Sequence, residues 1–310
     1  MKPPIPVAIC IATHGRPTAL KNLLESIDAL VDTMPDGTKI DIRLAVIDND
    51  PGHSAAAVLS EARRFPLAHC EDPQRGFASI RNATVSLAGT SVEWLAFVDD
   101  DELVSKTWLV ELMVAAYESR AAAVSGCVVS LGSTGVETHR TSARDFTPGR
   151  SGVALDRAHT DNLLVSAASF HDASGFNPDF DITGGEDIDL THRIQRAGGL
   201  IVFTPDALVK AIDHPARRTL RYSLRRGYAG NHNYARIRQA TRKFPQMSRV
   251  VAGLARIVQG SGLVLVGAIR RDNNKTMEAV AMIGGGFGTI MGTFDVFRIP
   301  WSSENRRTIT

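Results

Sequence analysis

Through the first 130 residues, short apolar runs alternate with helical spacings. Residues 7–12 form an unbroken apolar run that stops at the turn Thr13-His14-Gly15-Arg16-Pro17, which predicts a buried strand. Leu20, Leu23, Leu24 and Ile27 follow at three- and four-residue steps, as one face of an amphipathic helix requires. The same alternation predicts strands at 40–47, 67–70, 94–98 and 122–129, with helices at 55–65, 79–87 and 108–117. Strands separated by helices predict an α/β, Rossmann-like fold: a mostly parallel sheet with helices on both faces. Ligands of such sheets bind beyond the carboxyl ends of the strands. The polar clusters at 13–17, 48–50 and 99–102 all fall there.

Residues 130–160 are polar, rich in Gly, Ser, Thr and Arg, and without period, so a long loop is expected. Gly184-Gly185-Glu186-Asp187 then opens a helix striped by Leu190, Ile194 and Ala197 and closed by Gly198-Gly199. Two short strands are predicted at 200–204 and 208–212. Beyond Pro215 the character changes: arginines punctuate a long helical pattern, followed by apolar patches at 250–269 and 279–294. The first contains Arg256 and Gln259, and the second is short and carries five glycines. Neither supplies the roughly 20 clean apolar residues of a spanning helix.

Composition adds limits. The chain has 310 residues, 44% apolar and 22% charged, enough to bury a core without staples and too apolar for disorder. Cys10, Cys70 and Cys127 form no CxxC pair and read as reduced, mostly buried cytosolic thiols. Pro3, Pro4 and Pro6 interrupt the approach to the first apolar run, which therefore reads as a strand rather than a signal peptide.

Charge alters the picture more. Residues 1–214 carry 18 Lys and Arg against 29 Asp and Glu, a net of −11. Residues 215–310 carry 17 against 4, a net of +13. An acidic body with a basic tail predicts an anionic partner for the tail, or a tail that packs on the body.

Candidate chemistry concentrates in the acids. Asp99-Asp100-Asp101-Glu102 closes a strand, where four carboxylates repel one another unless a cation or strong donors gather them. Their hard oxygens suit Mg²⁺ or Mn²⁺, and no imidazole or thiolate adjoins to suggest zinc. Alone, the run reads equally as a solvated turn before the helix at Trp108. Asp48 can accept from a ribose or a base, or simply start an Asx-turn. Arg75 and Arg81 offer the cations a leaving diphosphate needs. Glu186 and Asp187 lie at a helix N-terminus, either as caps or as a base for a hydroxyl. His214, just before a proline, is a further metal-ligand candidate.

Taken in order, these pieces resemble family 2 glycosyltransferases of the GT-A fold, and among them bacterial succinoglycan-type glucosyltransferases. The stretches that carry the likeness are VAICIATHGRPTALKNLLESI, LAVIDNDPGHSA, RGFASIRNATVSLAG, WLAFVDDDELVSKTWLVEL, FDITGGEDIDLTHRIQRAGG and RYSLRRGYAGNHNYA. They cover about residues 5–235. The resemblance implies a GT-A catalytic domain over 1–215, with a nucleotide-sugar half at about 1–129 and an acceptor half at about 130–215. A basic, mainly helical region occupies 216–310.

It implies that Thr13 and Asp48 hold the nucleotide and that Arg81 lies near the diphosphate, with Arg16, Arg75 and Asp100 also beside the nucleotide-sugar. Asp99 and Asp101 match the DxD pair, the second of them binding the metal, with His214 as a further ligand. Asp187 matches the catalytic base, and Glu186 is the runner-up. In this register Asp100→Asn is expected to be mild.

The expected activity is an inverting, metal-dependent transfer from a nucleotide-diphospho-sugar, a UDP-sugar first of all, to an acceptor hydroxyl. The expected acceptor is a lipid-linked saccharide in polysaccharide or glycolipid synthesis. The rivals are a soluble transferase that decorates a small natural product and a non-catalytic nucleotide-sugar-binding protein; donor hydrolysis separates enzyme from binder. The tail has few aromatics to stack bases, so nucleic acid is not an expected partner. Its charge and apolar patches instead predict a cytoplasmic enzyme held peripherally on the inner, anionic face of the membrane. A second copy of the chain is the other candidate cover for those patches.

Overall fold

The computed structural model of the chain describes residues 2–73, 76–131, 137–140, 152–212, 219–239 and 246–300. Two compact units divide the chain: Met1–Pro178 with Leu190–Asp213, and Asp179–Asp189 with His214–Thr310.

The first unit opens with β1 (Ile5–Thr13), α1 (Pro17–Asp28), β2 (Ile40–Asp48), α2 (Ala56–Leu59), β3 (Leu67–Glu71) and α3 (Phe77–Ala88). It continues through β4 (Trp94–Phe97), β5 (Glu102–Val104), α4 (Trp108–Ser119), β6 (Ala123–Leu131), β7 (Glu137–Arg140) and β8 (Val153–Ala154). Then come β9 (Leu163–Ser166), α5 (Ala167–Asp172), α6 (Glu186–Arg196) and β10 (Ile201–Ile212), the first turn of α6 counting with the second unit.

The strands form one sheet in the order β3-β2-β1-β4-β9-β6-β10-β5. It is parallel from β3 to β4 and again between β6 and β10, while β9 lies antiparallel to both β4 and β6. β7 and β8 add antiparallel pairs to β6 and β10.

Two cores follow from the two-residue period of β1. Val7, Ile9 and Ile11 join Leu20, Leu23, Leu24 and Ile27 of α1 with Trp108 of α4 on one face. Ala8 and Cys10 join Ala78 and Val85 of α3 with Phe97, Phe170 and Phe176 on the other. Each Leu, Ile or Val so enclosed contributes about 1.5–3 kcal/mol. The apolar run of β1 is continuous because both faces are covered.

Asn162 ties the far half of the sheet. It accepts from Trp108 Nε1 at 2.8 Å and donates to the carbonyls of Cys127 (3.1 Å) and Ala207 (2.9 Å). A Cβ at position 126 would overlap its side-chain amide, so only glycine fits there.

Three sequence expectations are corrected. The helix expected at 55–65 is only the single turn of α2, because Asp28 takes the Arg64 N–H at 3.1 Å. The Arg64 guanidinium caps the Asp28 and Leu30 carbonyls, which fixes that segment in a non-helical course. The strands expected at 200–204 and 208–212 are one strand, β10, with a register shift between Phe203 and Leu208. Pro205 lies at that irregularity, where a missing N–H is tolerated. The apolar patch at 250–269 lies in a 25-residue helix that by length and composition is apolar enough to cross a membrane, contrary to its reading as too interrupted by Arg256 and Gln259.

In the second unit α7 (Leu220–Gln239), α8 (Gln246–Arg270) and α9 (Asn273–Thr293) pack through glycine. Gly284, Gly288 and Gly292 of α9, four apart, meet the backbone carbonyls of Leu224, Tyr228 and His232 of α7. Gly253, Gly260 and Gly267 of α8, seven apart, meet Ile290, Ile283 and Thr276 of α9. Glycines at these spacings keep one helix face bare, so the backbones approach closely.

Candidate functional site

β1 and β2 end side by side, with Thr13 opposite Asp48 in the parallel register. β4 is the other neighbour of β1, and the acidic run follows directly on it. Gly15, at φ +66°, makes the tight turn that a side chain would strain, and Pro17 starts α1. Arg16 is thereby returned toward the acids.

Asp100 is the hub of this end. Thr13 Oγ1 donates to its Oδ2 at 2.8 Å, and the His14 N–H reaches the same oxygen at 3.3 Å. Arg16 Nη1 donates to Oδ1 at 2.8 Å and lies 3.2 Å from Asp101 Oδ2. Asp99 accepts from Arg81 Nη2 of α3 at 3.2 Å, and its N–H donates to Glu102 Oε2 at 3.0 Å. Thr13, Arg16, Asp100 and Asp101 are thus joined by polar contacts, and Arg81, Asp99 and Glu102 form a second set on the same acidic run.

Burial pushes the Asp100 carboxyl up to about 6; Asp101 and Asp99 add to the rise, while Arg16 and Thr13 draw it down. Desolvation also lifts Glu102 well above the carboxylate range, helped by the charges of Asp99, Asp161 and Asp101. For Arg16, burial works against the cation, but Asp100, Asp101 and Asp99 outweigh it and hold the group above its ordinary value. In these contacts three aspartates, Asp99, Asp100 and Asp101, face two arginines, Arg16 and Arg81, an excess of acid over base.

That excess suits a hard divalent cation. Asp99 and Asp101 are the accessible members of the run, with side chains 44% and 17% exposed, and both offer oxygen. Among the described residues no group of three His, Cys, Asp or Glu side chains is arranged to hold an ion alone. Mg²⁺-type sites commonly use one or two carboxylates and complete the shell with substrate phosphates, so these residues fit such an ion. His214 and Arg75 lie outside the described residues.

Asp48 is buried and occupied by its own loop: Oδ1 accepts from the Asp50 N–H at 2.9 Å and Oδ2 from the Ala55 N–H at 3.2 Å. The first bond is the Asx-turn that its position at a strand end allows.

Glu186 and Asp187 sit in the first turn of α6, in the second unit. Glu186 is buried and Asp187 half-exposed. Gly184 and Gly185 precede them at φ +69° and +93°, left-handed values that favour glycine. Asn233 of α7 clamps this loop, its Nδ2 donating to the carbonyls of Thr183 (3.0 Å) and Gly184 (2.6 Å). A Cβ on residue 185 would come within 2.9 Å of the Asn233 Cβ. Arg236 stacks on Phe180 at 4.6 Å beside it.

Sequence reasoning missed Glu102 as the brace of the acidic turn and Asn233 as the clamp of the glycine loop. The first stands next to the flagged aspartates, and the second lies within RYSLRRGYAGNHNYA, where only the arginines had drawn notice.

Comparison with known proteins adds to this geometry. Residues 8–175 match the Glycosyl transferase family 2 profile. Over 238 residues the chain is 30% identical to the succinoglycan biosynthesis protein ExoM of Rhizobium meliloti, covering 74% of each. It is 28% identical over 222 residues to a pre-mycofactocin glycosyltransferase of Mycobacterium tuberculosis, covering 67% of this chain and 43% of that one. The solved structure of GalNAc-T7 with UDP, GalNAc and Mn²⁺ superposes with a TM-score of 0.54 at 13% identity. The match covers 79% of this chain and about half, 52%, of that structure, a likeness of fold of the GT-A type.

Proposed function

The chain belongs to glycosyl transferase family 2, and on that premise we propose an inverting transfer of a sugar from a nucleotide-diphospho-sugar to a hydroxyl of a lipid-linked saccharide. The observation that carries the donor half is the joining of Thr13, Arg16, Asp100 and Asp101 at the carboxyl ends of β1 and β4, with Arg81 on the adjacent Asp99. The UDP and Mn²⁺ in the GalNAc-T7 structure support a UDP-sugar and a divalent ion. ExoM, by its role in succinoglycan biosynthesis, supports a saccharide acceptor.

In this reading Arg16 orients the nucleotide, held by Asp100 with Thr13, while Asp48 acts through the loop it fixes, and Arg75 and Arg81 meet the diphosphate. Asp101 and Asp99, with His214, would hold Mg²⁺ or Mn²⁺. The bound ion supplies positive charge to the departing diphosphate. Asp187 takes the proton from the acceptor hydroxyl as that oxygen attacks the anomeric carbon. The bond to the diphosphate oxygen breaks on the opposite face, and its electron pair leaves with the phosphate. Asp187 stands in the first turn of α6, where the helix dipole suits an acidic side chain. Glu186 is the second candidate for this proton.

Asp187→Asn is expected to lower turnover by about 10²–10⁴-fold, the usual scale of general-base catalysis, and to leave donor affinity unchanged. Wild-type turnover in this variant would pass the role to Glu186. A thermal-shift screen of UDP-, GDP- and dTDP-sugars, with and without Mn²⁺, names the donor, since ligands of the folded state raise its melting temperature. No shift with any of them would overturn the donor reading.

A further inference from the structure

Helix α8 leaves much of its apolar surface uncovered. From residue 250 to 269 its sole ionisable side chain is Arg256, which is turned inward to Asn231 of α7 and Thr289 of α9. Only 17% of its apolar stretch is buried. The seam to α9 through Gly253, Gly260 and Gly267 occupies one side. Away from it Leu254, Val258, Leu265 and Ile269 stand exposed, Val258 by 73% and Ile269 by 82%, and Leu263 and Val266 extend the surface around the helix. At 3.6 residues per turn these positions span about half the circumference.

We propose that α8 lies in the plane of an anionic lipid surface, its exposed apolar half sunk into the headgroup region. A docked helix covers a stripe about 100° wide. Lipid covers the whole exposed half. Charge selects the lipid: Arg270, Arg271 and Lys275 stand exposed where α8 passes into α9, and residues 215–310 carry a net of +13. Basic residues flanking an apolar helix face are the features of surface-bound helices. Packing selects the orientation. The glycine seams bind α8 to α9 and α9 to α7, so a spanning α8 would take the exposed Arg221 and Arg226 of α7 toward hydrocarbon, which charged side chains resist. The inference holds whichever acceptor the enzyme uses.

The test uses the full-length protein with vesicles of phosphatidylcholine alone or mixed with phosphatidylglycerol. Wild type is expected to float with the mixed vesicles at low salt, less at high salt, and to be released by alkaline carbonate. The double variant Val258→Glu, Leu265→Glu changes only exposed positions and is expected to lose flotation with an unchanged melting temperature. Independently, Leu254→Trp should shift its emission to the blue on mixed vesicles and be quenched by lipids brominated near the headgroup. Wild type that stays at the bottom with both vesicle types overturns the proposal. So does resistance to carbonate, which would mean a spanning helix. A vesicle-independent dimer that the double variant splits would assign the surface to a second copy instead.

Discussion

Asp100 accepts from Thr13 and His14 on one carboxylate oxygen and from Arg16 on the other, whereas Asp101 shares Arg16 from a more open position. An asparagine at 100 keeps a single acceptor oxygen, so either the His14 N–H on the Thr13 side or the Arg16 guanidinium must lose its bond. The geometry therefore replaces the mild effect expected from sequence with a structural one. Asp100→Asn should lower stability by about 1–3 kcal/mol, the scale for stranding a buried polar partner, and weaken donor binding through the displaced turn. Asp101→Asn should leave the melting temperature near wild type and abolish metal-dependent turnover. Thermal unfolding beside steady-state kinetics decides it; the opposite assignment of the two effects would show that Asp100 is the principal metal ligand. The acids were legible as residue types in sequence. Their partners were not, because the register of β1 against β4 determines which carboxylate meets Thr13.

Among the elements, glycine in the tail separates two physical roles. Gly262 of α8 has open space where a Cβ would stand, whereas a Cβ at Gly288 of α9 would overlap the Tyr228 carbonyl oxygen. Gly262→Ala should therefore stabilise the protein by about 0.5–1 kcal/mol, as a helix gains from losing glycine's backbone freedom. Gly288→Ala should destabilise it by about 1–3 kcal/mol through overpacking. Denaturant unfolding of the two variants in the same detergent measures both, and equal shifts would contradict the close seam between α7 and α9. The five glycines at 284–292 were visible in sequence, but not what they face. Alternation and three-to-four spacing similarly located β1, α1, β2 and α4, whose cores repeat strictly. They passed over β9, since Leu163-Leu164-Val165-Ser166 is too short a run to distinguish from the helix that follows it. They overextended α2, since Asp28 captures Arg64 from far along the chain.

At the scale of the whole molecule, the charge split of −11 and +13 goes with the proposal of different anions for different stretches of chain. The sheet unit concentrates carboxylates at the ends of β1 and β4, where the proposed donor diphosphate would be held with a cation. The helical unit offers arginines and bare apolar surface, which suit a phosphate-rich membrane face. If these are separate sites, each should protect its own amides from hydrogen exchange. UDP with Mn²⁺ should slow exchange at 13–16 and 98–102 and leave α8 unchanged. Anionic vesicles should slow exchange along α8 and leave 13–16 unchanged. Salt then discriminates further, because screening weakens attraction between exposed charges far more than contacts within a buried pocket. Raising ionic strength should reduce vesicle protection of α8 while nucleotide protection near Asp100 persists. Nucleotide protection that appears on α8 without lipid, or vesicle protection that spreads to 13–16, would mean that one ligand alters both surfaces and that the two sites are not separate.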